Sequence, residues 1–206
     1  MSAIPAATHI AFRQITVPPG HQVILKDIEW QLFDALLEEG GERRSTRYAY
    51  HQGQMEMMSP LAAHEDDKTI IRGIIEILLE ELDLEFRALG STTLKSDRVA
   101  QAVEPDECFY IQHEQAVRGK DRLDLNADPP PDLALEIDLT SRTHFRQYVG
   151  LGIPELWRYD GRELEILLLE NAAYHAASTS RLFPQFDLKS LVPQLLILAR
   201  LAGHQS

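Results

Sequence analysis

The sequence holds one cysteine, Cys108, in 206 residues, so it carries no internal disulfide framework. An unpaired thiol suits a reducing compartment, and the cytoplasm is the expected location. No window of 18 or more residues is free of charge and apolar throughout, and residues 1–11 show no basic stretch leading into an apolar one. Neither membrane spanning nor secretion is expected. A basic excess is also missing: 20 Lys+Arg stand against 32 Asp+Glu, a formal net charge of -12. Broad phosphate-gripping surfaces draw their affinity from clustered Lys and Arg, so any role on nucleic acid has to come from a local site. Internal repeats and low-complexity tracts are absent. So are the Gly-x-Ser-x-Gly elbow, the Walker loop and the Cys-x-x-Cys pair. Gly150-Leu151-Gly152 lacks the third glycine of a dinucleotide fingerprint and reads as a helix stop.

What is present is 44% hydrophobic residues, enough at this length for one core without a structural metal. The expected organisation is an irregular N-terminal segment over 1–24 and one domain over 25–206. Apolar spacing from Leu25 to Glu39, closed by Gly40-Gly41, predicts an amphipathic helix. Arg47 to Tyr50 and Gln54 to Met58 flank a turn at His51-Gln52-Gly53, which predicts a β-hairpin. Ser59-Pro60 supplies an N-cap followed by proline, and Ile71, Ile74, Ile75, Leu78 and Leu82 recur at helical spacing through a long helix ending near Leu84. Residues 86–94 and 99–111 are β-compatible, and 112–128 reads as a polar loop. A helix through Tyr148, strands over 155–159 and 163–169, and an apolar segment over 190–201 complete the chain. This order predicts an α/β fold with a mixed sheet flanked by helices.

The most informative stretch is 132–139. Leu133, Leu135, Ile137 and Leu139 alternate with Asp132, Ala134, Glu136 and Asp138, so one strand face is aliphatic and the other carries carboxylates. Glu136 and Asp138 lie about 6 to 7 Å apart on that face. Two readings stand: a solvated acidic face, or a site where a hard divalent cation neutralises the carboxylates. Asp106 offers a third carboxylate at the head of another strand, on the face of Cys108 and Tyr110. Cys108 itself reads as a small core residue. Glu65, near the start of the long helix, complements the helix dipole. His64 to Lys68 fails the zinc-protease pattern because its fifth position is lysine.

Tyr50 with Gly53, Met58-Ser59-Pro60, His64, Glu104-Pro105-Asp106, Pro131 to Ile137, Tyr148 and Gly152-Ile153-Pro154-Glu155-Leu156-Trp157 together resemble the Uma-two family of restriction-endonuclease-type proteins, over most of the chain. That family is placed in the PD-(D/E)XK nuclease superfamily. The resemblance implies a PD-(D/E)XK nuclease-like mixed β-sheet flanked by helices, in a single domain, and a site for Mg²⁺ or Mn²⁺. Carried over residue by residue, Asp106 and Glu136 match the acidic residues of the motif, and Glu65 fits the helix acid of some members; Asp138, outside the pattern, is expected to extend the metal site or hold a second ion. The pattern asks for lysine two residues after Glu136, and this sequence has Asp138 there. Lys68, Lys95 and His144, the last one helical turn before Tyr148, are the candidate basic partners.

The resemblance thus implies a metal-dependent endonuclease acting on nucleic acid, with DNA the expected substrate and catalysis resting on Asp106, Glu136, Asp138 and Glu65. The competing expectation is a catalytically inactive nuclease fold serving as a homodimeric or partner-binding module, its interface drawn from the segment around Leu195, Leu196 and Leu198. Arg118, Lys120 and Arg122 form a local basic cluster, either a solvated loop or a phosphate contact.

Overall fold

The computed structural model describes residues 12–41, 46–138 and 146–203. A short 3-10 turn at Phe12–Gln14 leads to strand β1 (Gln22–Leu25), helix α1 (Trp30–Gly40), and the hairpin of β2 (Arg47–His51) and β3 (Gln54–Met58). Helix α2 (Ala62–Glu81) follows, then four short strands, β4 (Arg87–Leu89), β5 (Leu94–Ser96), β6 (Gln101–Val103) and β7 (Glu107–Tyr110). After them come α3 (Glu114–Val117), β8 (Leu133–Ile137), α4 (Arg146–Leu151), β9 (Glu155–Tyr159), β10 (Leu164–Glu170), β11 (Ala173–Ala177) and α5 (Leu188–Gly203).

The strands form two sheets where the sequence suggested one. The first is antiparallel in the order β1-β3-β2-β6-β5; the second runs β11-β10-β9-β8-β7-β4, with β8 and β9 its parallel pair. Several sequence expectations are met. The hairpin turns through Gln52 and Gly53, both at positive φ (47° and 79°), the conformation a two-residue turn between twisted strands demands. Gly41 closes α1 at φ 66°, and Gly152 ends α4 at φ 74°.

Others are corrected. Leu25 begins no helix: it ends β1, where it pairs with Met55 of β3. Ser59 does not cap α2; Leu61 holds the N-cap position, and no side chain caps the helix there. The loop over 112–128 contains α3, and β11 was not anticipated because its alternation is obscured by alanines and a single tyrosine.

Strand alternation sorts the interior into layers. Leu133, Leu135 and Ile137 of β8 face α2 and α5, packing with Ile71, Ile75, Leu79, Trp157, Val192 and Leu196. Each such buried aliphatic side chain contributes roughly 2 kcal/mol. On β2, Tyr48 and Tyr50 pack with Phe33 of α1. Alternation therefore turns Arg47 and Ala49 the other way, toward the second sheet, where Ala49 borders a cluster of Leu94, Val103, Cys108, Ala134, Tyr148 and Leu156. Cys108 is fully buried there, and its surroundings push the thiol pKa far up, foremost by desolvation and then by the charge of Glu107. It is a core residue, as its place among apolar neighbours suggested.

Candidate active site

The site lies on the face of the second sheet opposite α2 and α5. Glu107 of β7 pairs with Leu135 of β8, so one further step of this antiparallel register sets Asp106 across from Glu136. Glu136 pairs in turn with Arg158 of β9, and Arg158 with Glu165 of β10. Asp106, Glu136, Arg158 and Glu165 thus form a charged row across four strands, neighbours about 5 Å apart. Residues 133–137 are buried on both faces of β8, which removes the reading of Glu136 as part of a solvated face.

Asp106 is completely buried. Its Oδ2 accepts a hydrogen bond from the Ile137 backbone N–H at 2.6 Å, and its Oδ1 is paired with Nη1 of Arg47. Nη2 of Arg47 donates to Oε1 of Glu65 at 2.9 Å. One guanidinium from β2 therefore ties together the acid that precedes β7 and an acid of α2. Arg47 is itself 8% exposed. It is one residue that sequence reasoning missed; the available signal was an arginine at an alternate position of a strand whose other face is tyrosines.

Glu136 is held differently. Its Oε1 accepts from the Tyr148 hydroxyl, which α4 carries to the sheet. Burial, the dominant cause, pushes its pKa up to about 8; Asp138 and Glu56 push the same way, while the Tyr148 hydrogen bond and Arg47 oppose them. Asp138 follows β8: its backbone N–H donates to the Tyr159 carbonyl at 2.8 Å, and its Oδ2 lies 3.8 Å from Nη1 of Arg158. His64, 1% exposed, has no hydrogen-bond partner on either ring nitrogen among the described residues. Desolvation lowers its pKa first and Arg47 lowers it further, while Asp138, Glu65 and Asp67 act in the opposite sense.

The candidate basic residues divide. Lys68 pairs with Oε2 of Glu65 and lies 4.0 Å from Oε1 of Glu107, so it borders the site from α2. Lys95 is paired with Asp34 of α1, which engages its ammonium away from the acid row. His144 lies outside the described residues. The basic loop cluster is met by acids: Arg118 pairs with Glu114 and Glu85, and Lys120 with Asp128.

A family model described as "Putative restriction endonuclease", Uma2, matches residues 30–200. The chain belongs to the Uma2 family. The fold of this Uma2 protein is shared with a crystal structure described as a putative nuclease belonging to DUF820 from Anabaena variabilis, at 12% identity and a TM-score of 0.57, over 82% of this chain and 99% of that one. No curated protein matches the sequence.

Among the described residues, no three His, Cys, Asp or Glu side chains close into a preformed metal cage. The structure brings Asp106, Glu136 and Asp138 to one face, but Asp106 is turned to Arg47 and Asp138 to Arg158. The donor chemistry still fits a hard divalent ion. Asp106, just before β7, and Glu136 of β8 are neighbouring carboxylates, and burial, which raises the pKa of Glu136, makes its ionised form costly unless a cation offsets it. Among the described residues, no helix is long and apolar enough to cross a membrane.

Proposed function

We propose that this Uma2 protein is a divalent-metal-dependent endonuclease that hydrolyses phosphodiester bonds of nucleic acid, DNA in the first instance. The observation that carries the reading is the apposition of two buried carboxylates, Glu136 of β8 and Asp106, the residue leading into the antiparallel neighbour β7. They would hold Mg²⁺ or Mn²⁺ as direct ligands, with Asp138 beside them and Glu65 acting through water. Bound there, the ion would supply a Lewis acid for the scissile phosphate and lower the pKa of a coordinated water. Tyr148 donates to Glu136 and so favours its ionised, ligating form. Arg47 holds Asp106 in place and links the acid row to Glu65. The absence of a second cysteine fits work in the cytoplasm.

The test is cleavage of supercoiled plasmid with Mg²⁺ or Mn²⁺. The parent is expected to nick or linearise it, and Glu136→Ala to lose that activity. A Glu136→Ala variant as active as the parent would contradict the assignment.

One feature favours a second reading, an inactive fold used for association. Ile197, Leu198 and Leu201 of α5 are 56%, 59% and 64% exposed, an apolar strip on the segment expected to form a homodimer face, although Leu196 beside them is buried. A stable dimer whose melting temperature ignores divalent ions, with no turnover of DNA, would support that reading.

A further inference from the structure

Breaking a phosphodiester gathers negative charge on its non-bridging and departing oxygens, and a site that does so needs a cation aimed at them. Arg47 is buried and directs both terminal nitrogens at carboxylates, Asp106 and Glu65. Lys68 sits between Glu65 and Glu107 on the side of α2. Arg158 differs in placement: it is the register partner of Glu136, on the same face, one strand over. Its side chain is 16% exposed, with Nη1 3.8 Å from Asp138 and Nη2 2.5 Å from Glu165, so the guanidinium lies along the acid row itself.

We infer that Arg158 is the phosphate-binding cation of this site, its guanidinium taking the non-bridging oxygens of the phosphodiester beside Glu136, with Asp138 and Glu165 as positioning residues. The inference rests on the phosphodiesterase reading above. It gives Asp138 a purpose: an acid two residues after Glu136 draws a guanidinium from the next strand toward the place where a lysine at position 138 would project. Arginine suits the task, because its planar fork meets two phosphate oxygens at once. A second observation points to the same spot. His64, whose ring feels the charges of both Arg47 and Asp138, has two buried nitrogens unpartnered among the described residues, polar atoms that a phosphate or its water would satisfy.

The experiment compares the parent with Arg158→Gln, Arg158→Lys and the double variant Asp138→Lys/Arg158→Gln. Plasmid cleavage is followed in Mn²⁺, duplex binding by fluorescence anisotropy in Ca²⁺, and folding by thermal melting. Arg158→Gln is expected to lower kcat about 100-fold. Arg158→Lys should retain more activity than the glutamine variant. The double variant, which returns a cation to the same face, should recover at least about tenfold over Arg158→Gln, a recovery that loss of a merely structural ion pair would not produce. Arg158→Met, which keeps the aliphatic stem, replaces the glutamine variant if that one fails to melt cooperatively. Cleavage by Arg158→Gln within threefold of the parent, or no recovery in a folded double variant, overturns the inference and leaves the nuclease reading intact. A parent that neither binds Mn²⁺ nor cleaves overturns both.

Discussion

Arg47 and Asp106 form an ion pair at a point where the carboxylate meets no solvent and the guanidinium almost none. Removing one partner of such a pair leaves an uncompensated buried charge, which costs about 3 to 5 kcal/mol. Arg47→Met is therefore expected to lose stability of that order in urea unfolding. If Asp106 is a metal ligand, Mn²⁺ should raise the melting temperature of this variant more than that of the parent, because the ion fills the charge the guanidinium vacates. An equal or smaller shift would separate Asp106 from the metal.

Glu136 sets a pH dependence. Its pKa is about 8 in the folded chain against an ordinary 4.5, so between these values the folded state keeps a proton that the unfolded state has released. Its contribution to stability is thus greatest below about pH 4.5, falls as pH rises, and levels off above about pH 8. A ligating carboxylate must lose that proton, so divalent-ion affinity should rise with pH up to the same point. Glu136→Gln should melt higher than the parent at pH 8 in the absence of metal, by a few degrees. Melting curves across pH for both proteins check this.

Tyr148 tunes the same group. Tyr148→Phe removes a hydrogen bond that favours the ionised carboxylate, so the Glu136 pKa should climb further. Mn²⁺ binding should weaken at pH 7 and recover toward the parent value at higher pH. A uniform loss at every pH would mean the phenol acts by packing alone.

Cys108 offers a probe of the core. Because it is fully buried and desolvation holds it as a thiol, a thiol reagent should label it in native protein only through opening of the fold. Labelling should therefore be slow and accelerate with urea. Rapid labelling of folded protein, with loss of activity, would contradict this placement and point to a reactive thiol.

Much of this architecture is legible in the sequence, because period and punctuation are local properties. The alternation of Leu133, Leu135 and Ile137 identified β8, and Gln52-Gly53 marked the hairpin of β2 and β3. The division into two sheets was not legible, because it depends on which strand edges meet. The candidate site divides along the same line. Asp106, Glu136, Asp138 and Glu65 stand out by type and by family resemblance; the structure brings the first three to one face and ties Glu65 to Asp106 through Arg47. Arg47 and Arg158 did not stand out: each lies on a strand assigned from its apolar neighbours, and their importance comes from register and from the turn of one sheet toward the other. Lys95, by contrast, looked eligible until α1 placed Asp34 against it.

The central claim is that Asp106 and Glu136 hold a divalent ion, and the most direct measurement is calorimetric titration of Mg²⁺ and Mn²⁺ into the parent and into Glu136→Ala at pH 8. The account predicts saturable binding by the parent that vanishes in the variant. No binding to the parent, or equal binding to both, would contradict it.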